Sequence, residues 1–238
     1  VEWQAADVVG IRDETPTART LTLRVPGWPG FVAGQHIDIR LTAPDGYQAA
    51  RSYSISSSAR SDTVEVSVEL LDDGEVSPYL VRYVGVGDQL EVVGPLGGWF
   101  VWRPEQTEPI RLIGGGSGVA PLMSILRTHA DAGSPTSVRL LYSVRSPEFL
   151  YYRDEIRRLV ESDLAEVDIQ YTRQAPEGWA GTLGRLDPAR VTAWAAQSPA
   201  ETLSYICGPT RFVELAADAL VASGIDPLSI KTERFGGA

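Results

Sequence analysis

Near residue 103 the sequence changes its period, and that change restricts the chain to two differently built halves. Before it, short segments alternate apolar and polar residues and are cut by Gly, Pro and Asp. Candidate strands are Trp3–Ile11, Thr20–Val25, His36–Leu41, Arg51–Ser56, Thr63–Leu70 and Gln89–Val93. Many short strands with regular turn signals predict an antiparallel barrel or sandwich. One short helix, Val76–Val84, interrupts them. The stretch Arg103–Pro109 is polar and proline-flanked, as a linker is. Beyond it the apolar runs Ile110–Ile113, Val138–Tyr142, Val167–Tyr171, Leu203–Cys207 and a last one near Ile230 alternate with helical patterns. Those patterns are Pro121–Ala132, Glu148–Glu161, Ala189–Ala196 (opened by Asp187-Pro188 as cap and first residue) and Thr210–Ala222. Strands alternating with helices predict an α/β domain on a parallel five-stranded sheet. The expected division is residues 1–104 and 105–238.

Composition narrows the chemistry. A chain of 238 residues buries enough surface to need no covalent or metal staple. Its single cysteine, Cys207, allows no internal disulfide, no four-cysteine zinc site and no iron–sulfur cluster, so redox chemistry must use another carrier and no metal is expected. The 21 basic and 31 acidic residues leave a net charge of −10, most of it in the first 105 residues, which argues against nucleic acid as a partner. No run of 18 apolar residues exists, and the first ten residues lack a basic stretch followed by an apolar one. A cytoplasmic protein without a membrane segment, and a monomer, is expected.

Four short motifs carry chemistry. Arg51-Ser52-Tyr53-Ser54 lies on a predicted strand, where Arg51 and Tyr53 share one face and Ser52 and Ser54 the other. A guanidinium beside an aromatic ring suits a ligand with both a phosphate and a flat ring, although a core tyrosine on an ordinary strand reads the same way. Gly74-Glu75-Val76-Ser77-Pro78 opens the short helix, with Ser77 as expected N-cap and Pro78 as first helical residue. Gly114-Gly115-Gly116-Ser117-Gly118-Val119-Ala120-Pro121 follows an apolar strand and precedes a helix, the context of a loop that cradles phosphate. It departs from G-x-G-x-x-G, because the register from Gly114 places Val119 last, and it lacks the lysine of a nucleotide-hydrolysing loop. Cys207-Gly208-Pro209-Thr210 falls at the carboxyl end of a strand, where open α/β sheets bind ligands. A lone cysteine is otherwise a small buried hydrophobe, and the sequence sets neither His36 nor His129 beside it to activate it.

In this order and spacing the four motifs resemble the ferredoxin–NADP reductase superfamily, over nearly the whole chain. The resemblance implies a flavin-binding, Greek-key antiparallel β-barrel followed by a nicotinamide-nucleotide domain. Arg51, Tyr53 and Ser54 match the family's Arg-x-Tyr-Ser/Thr motif, which implies that Arg51 holds flavin phosphate, Tyr53 lies on the isoalloxazine and Ser54 reaches its N5 edge. Gly74 and Ser77 match the Gly-x-x-Ser/Thr pyrophosphate motif, with Val76 between them and Ser52 inside the first motif. Gly115, Gly116, Ser117, Gly118 and Pro121 belong to the family's glycine loop, and Cys207, Gly208 and Pro209 to the motif lining the nicotinamide pocket. On this analogy Ser54, Cys207 and Glu233, expected just after the last strand, surround the hydride path. The plant-type pattern ends on an aromatic covering the flavin, whereas this sequence runs on as Phe235-Gly236-Gly237-Ala238. Phe235 is then either that aromatic, with a flexible tail behind it, or a core residue.

Hydride transfer requires the nicotinamide C4 and flavin N5 to approach within about 3–3.5 Å, which the protein achieves by positioning. FAD is the expected flavin. NADPH is favoured over NADH: Arg145 and Arg173 follow strands and Arg185 sits in Gly184-Arg185-Leu186, and this resembles NADP-selective family members, which have arginines at such places to meet a ribose 2′-phosphate. The electrons are expected to leave for a separate small redox protein (a ferredoxin or flavodoxin) or an oxygenase component. The acidic barrel half does not support a strongly electrostatic ferredoxin dock, although Arg51, Arg82 and Arg234 offer a local basic patch. The alternative is a flavin-binding electron-transfer or regulatory subunit that is not itself a reductase.

Overall fold

Alternation builds the first half of the molecule. The computed structural model describes residues 2–235. Strands β1 (Gln4–Thr15), β2 (Ala18–Arg24), β3 (His36–Thr42), β4 (Gln48–Ser54), β5 (Val64–Glu69) and β6 (Gln89–Leu96) form one antiparallel sheet ordered β4-β3-β6-β1-β2-β5. An Ile55–Val66 bridge links the outer two and closes the barrel. Strand β6 returns between β3 and β1, the crossing that makes the predicted Greek key. On β5, Val64, Val66 and Val68 point into the barrel core with Leu21, Leu23, Ile37 and Ile39. Helix α1 (Ser77–Arg82) closes the barrel through Leu80, with Val76 and Val84 buried beside it. It is shorter than the predicted Val76–Val84.

The second half is a parallel sheet. Strands β7 (Ile110–Gly115), β8 (Val138–Val144), β9 (Glu166–Tyr171), β10 (Leu203–Pro209) and β11 (Ile230–Phe235) are ordered β11-β10-β7-β8-β9. Every residue of β7 and β8 is buried, as in parallel strands covered on both faces. Helices α2 (Val119–Asp131) and α3 (Arg153–Glu161) cover one face, α4 (Pro188–Ala195) and α5 (Thr210–Ala222) the other. Asp187 caps α4 as expected, its Oδ1 accepting from the Arg190 N–H at 2.8 Å. The chain reverses direction across the sheet between β7 and β10. Ligands of open α/β sheets bind in the crevice at that switch point.

Three expectations need correction. The predicted helix Glu148–Glu161 is broken: a single 3₁₀ turn spans Pro147–Phe149, Tyr152 takes a left-handed backbone (φ 52°), and α3 begins only at Arg153. Glu233 lies within β11 rather than after it, in register with Cys207. Ser77 is not the N-cap. Val76 holds that position, and Ser77, inside the helix, turns its Oγ back to accept the Leu71 N–H at 3.1 Å. Among the described residues no helix is long and apolar enough to cross a membrane. The expected tail Gly236-Gly237-Ala238 lies outside the described residues.

Candidate functional site

Strand β4 delivers the first motif to one end of the barrel. Arg51 is exposed and pairs with the Glu75 carboxylate, which also accepts the Tyr47 hydroxyl at 2.6 Å. Those two donors, Tyr47 first and then Arg51, hold the Glu75 carboxyl below its ordinary range. The result is a guanidinium fixed at the mouth of the loop that leads into α1. Tyr53, two residues on, packs against the barrel core, and burial pushes its hydroxyl well up. Ser52 faces away, donating to Asp38 Oδ1 at 2.5 Å on the adjacent strand, so its hydroxyl is already engaged within the sheet. Gly74 is needed for closeness: a Cβ there would stand 2.9 Å from Ser77 Oγ and 3.0 Å from the Leu71 carbonyl. Val76 turns its side chain into the core, leaving only its backbone for any ligand. A cleft of about 580 Å³ opens beside Tyr47, Glu75 and Tyr79. Two of the three arginines of the expected basic patch are paired within the barrel, Arg51 with Glu75 and Arg82 with Asp72.

The second half supplies a crevice of about 410 Å³ at the switch point, walled by Glu69–Leu71 of the barrel, by Gly115–Ser117 and by Phe235. Gly114 and Gly115 belong to β7 itself, and the loop proper is a 3₁₀ turn, Gly116–Gly118. Glycine serves close approach here. A Cβ on Gly115 or Gly208 would stand within 2.9 or 2.8 Å of the Phe212 ring, and one on Gly118 would stand 2.4 Å from the Cys207 carbonyl oxygen. Phe212, which sequence reasoning missed, therefore fills the gap between two bare strand ends. Gly118 and Pro121 are buried behind the crevice wall. Pro209 and Phe235 face each other in register on β10 and β11, and both line the crevice. Arg145 reaches into it with its guanidinium carbon 4.1 Å from the Phe149 ring centre. Its carbonyl accepts the Arg173 N–H at 2.9 Å, and Gly184 bonds Tyr171, so Arg145, Arg173 and Arg185 all lie on loops beyond β8 and β9.

The two halves meet at Glu233. His36 sits opposite Ser54 in the β3–β4 register, and its Nδ1 lies 4.0 Å from Glu233 Oε1. Glu233 in turn is in register with Cys207. Ser54 and Cys207, far apart in sequence, thus stand on either side of a His36–Glu233 contact. The sequence contained the two histidines but no signal that His36 would reach this point. The Cys207 thiol is 1% exposed and burial pushes it well up, which makes it a packing group and no nucleophile. Burial also pushes the Glu233 carboxyl up to about 7, while its Oε2 is buried with no partner. A buried carboxyl oxygen without a partner, at the rim of a crevice, suits a ligand that brings its own hydrogen-bonding group, as a carboxamide does. The residues present therefore fit a nicotinamide.

The raised carboxyl has a consequence for stability. The folded chain holds the Glu233 proton at pH values where the unfolded chain has lost it, so its stabilising share is complete below the unfolded value and disappears as pH rises through about 7. Glu233→Gln removes this penalty. The variant is expected to match the wild type at about pH 4 and to exceed it by up to about 3 kcal/mol at about pH 8. Thermal melting of the flavin-free protein across that range measures the difference, and a gap independent of pH would contradict the buried carboxyl.

Comparison with known proteins agrees with the two-part build. A family described as an oxidoreductase FAD-binding domain matches residues 8–101, and one described as an oxidoreductase NAD-binding domain matches residues 112–218. The chain is 31% identical to ferredoxin–NADP reductase B of Sorangium cellulosum over 97% of this chain and 96% of that protein. It is 30% identical to the reductase component of propane 2-monooxygenase from Mycolicibacterium smegmatis, over 91% of this chain and 60% of that protein. The match spans only 60 to 66% of the length of several curated relatives. Among solved structures, the FAD/NAD-binding domain of a nitric oxide dioxygenase from Vibrio cholerae superposes with a TM-score of 0.86 at 25% identity, covering 98% of this chain and 99% of that one.

Proposed function

The chain belongs to the ferredoxin–NADP reductase superfamily, whose members are NAD(P)H-dependent flavoprotein oxidoreductases, and we propose that it takes hydride from NADPH on FAD and passes electrons singly to a separate oxygenase component or small redox protein. The observation that carries this reading is the meeting of Ser54, His36, Glu233 and Cys207 where the barrel and the crevice join. When bound, the nicotinamide supplies a hydride and the flavin accepts it and releases its electrons one at a time. Everything else falls to the chain's own residues.

In this reading Arg51 and the Gly74–Ser77 turn bind the flavin phosphates, with Glu75 and Tyr47 holding the guanidinium in place. Tyr53 supports the flavin ring, and Ser54 donates at its reactive edge. The Gly115–Gly118 turn at the start of α2 receives the nucleotide pyrophosphate on backbone N–H groups. Gly208 and Pro209 form the floor of the nicotinamide pocket, Phe235 one of its walls, and Glu233 orients the carboxamide. The close fit of Cys207 and the glycines keeps water from the reacting atoms. The division into a FAD-binding unit, 1–104, and an NAD(P)-binding unit, 105–238, rests on the irregular segment between β6 and β7.

The preference for NADPH rests on the arginines beyond β8 and β9. None of Arg145, Arg173 and Arg185 forms an ion pair among the described residues, which leaves their charge for a 2′-phosphate. Anaerobic mixing of the purified flavoprotein with either nucleotide tests the whole proposal. Bleaching by NADPH at lower concentration than NADH is expected, and no bleaching by either leaves the non-reductase subunit as the reading. Arg173→Ala should raise the NADPH concentration needed by roughly 10-fold or more, the worth of a charge-assisted contact, and leave NADH almost unaffected. Equal effects on both would refute 2′-phosphate recognition.

A further inference from the structure

Besides the His36–Glu233 contact and the hydrogen bonds that Tyr205 and Lys231 donate to the Val101 carbonyl, two lines of polar contact tie the barrel to the second domain. The first bolts α2 to the segment after β4: Ser124 Oγ donates to the Ser57 carbonyl at 2.8 Å, Thr128 Oγ1 accepts the Ala59 N–H at 2.9 Å, and Arg127 donates to the Ser56 carbonyl at 2.7 Å. The second runs beside the crevice. The Tyr151 hydroxyl donates to the Glu69 carboxylate, Tyr152 shares a hydrogen bond with Ser67, and the Tyr152 N–H donates to Glu14 Oε2 at 3.2 Å. Each barrel partner is itself held from within the barrel: Thr17 donates to Glu69 Oε1 at 2.5 Å, and Thr20 bonds Ser67 at 2.6 Å.

The second line has a cost that the fold accepts. Tyr152 adopts φ 52°, a left-handed backbone that a bulky side chain takes only when its surroundings hold it there. This turn breaks the helix that the sequence pattern favours over Glu148–Glu161, and it presents two consecutive tyrosines to the barrel. Tyr151 is 1% exposed, yet it and Glu69 both line the crevice. The bolts along α2 hold the domains along one line of their interface. The second line braces the crevice itself, because Glu69 and Tyr151 both line it and bond each other across it.

We propose that Tyr151 and Tyr152 are positioning residues that hold the two walls of the crevice at the separation hydride transfer requires. This rests on the reading of the crevice as the nicotinamide site. Burial pushes both hydroxyls up, Tyr152 to about 12, so both tyrosines stay protonated at every working pH and the latch is no pH switch.

The test is the double variant Tyr151→Phe/Tyr152→Phe, which keeps both rings and removes only the hydroxyls. Flavin content and nucleotide affinity are expected to stay within about threefold, while the bleaching rate at saturating nucleotide falls roughly 10- to 100-fold, the cost of misplacement by up to about 1 Å. In the flavin-free protein, amide hydrogens of residues 146–153 and of β5 should exchange about tenfold faster, with β7 and β10 unaltered. A rate unchanged within twofold overturns the proposal, and so does a rate loss that tracks nucleotide affinity or flavin content. If the double variant fails to fold, Glu69→Gln and Glu69→Leu replace it. Glutamine keeps an acceptor for Tyr151 and leucine does not, so equal rate losses in the two would overturn the latch. If wild-type protein is not bleached at all, the functional reading falls, and unchanged amide exchange in the double variant would overturn the latch separately.

Discussion

Arg51→Ala is expected to purify as a colourless protein that folds normally. The guanidinium is anchored on one side by Glu75 and the Ala50 carbonyl, the latter at 2.7 Å, and about half of its side chain remains open to solvent. Removing it has two effects on a bound flavin phosphate. It deletes a charge-assisted contact, worth about 1.5–3 kcal/mol for each hydrogen bond. It also leaves the Glu75 carboxylate, now without its cation, facing the same phosphate. Attraction is replaced by repulsion, so flavin affinity should fall by 100-fold or more. Stability should scarcely move, because an exposed ion pair contributes about 0–1 kcal/mol. Glu75→Gln separates the two effects: it relieves the repulsion and frees the Arg51 fork, so flavin should be retained. Visible absorbance relative to protein absorbance after purification, with titration of FAD into flavin-free protein, gives the answer. Full flavin occupancy in Arg51→Ala would remove this residue from the phosphate site.

The same cluster shows what a sequence can and cannot convey. Arg51, Tyr53 and Ser54 are legible because the motif is local and its strand alternates, and the valines of β5 are legible for the same reason. Tyr47 and Glu75 were invisible as partners of Arg51, since nothing local links a hairpin tip to a loop 28 residues later. Strand ends were misjudged where glycine and proline continue a ladder. Gly114, Gly115, Gly208 and Pro209 are all paired, and at Gly115 and Gly208 the missing side chains make room for Phe212. The break at Tyr152 could not be read either, because the contacts that hold it come from Glu14 and Ser67, 138 and 85 residues away. Arg111 and Arg139 sit in runs that read as wholly apolar. They pair across β7 and β8 and donate to the carbonyls of Ala195 and Trp194 at the end of α4, a partner set by tertiary packing. Tertiary partners decide all of these, and local pattern decides the rest.

Gly118→Ala is expected to slow bleaching by NADPH about 100-fold while leaving the protein yellow. Backbone conformation is not the reason: Gly118 sits at φ −63° and ψ −6°, where alanine is at ease and should even favour the start of α2. Space is the reason. A Cβ there would stand 2.4 Å from the Cys207 carbonyl oxygen, 2.5 Å from its carbonyl carbon and 2.7 Å from the Gly208 nitrogen. All three are backbone atoms of a strand end, so none can rotate away as a side-chain tip could. Restoring ordinary contact requires the two loops to part by about 1 Å, and such a shift at a reacting centre costs about 10²-fold. The displaced residues, Cys207 and Gly208, are in register with Glu233 and Arg234, so the nicotinamide pocket shifts as a unit. The flavin motifs lie on the barrel and are untouched. Gly116→Ala is the informative contrast: it has open space but φ 56°, so it should lose about 1 kcal/mol of stability without forcing the loops apart. Bleaching rate against NADPH concentration, with melting curves for both variants, distinguishes crowding from strain. A Gly118→Ala rate within twofold of wild type would mean that the crevice tolerates the separation, and the backbone contact at Cys207 would then have no part in placing the nucleotide.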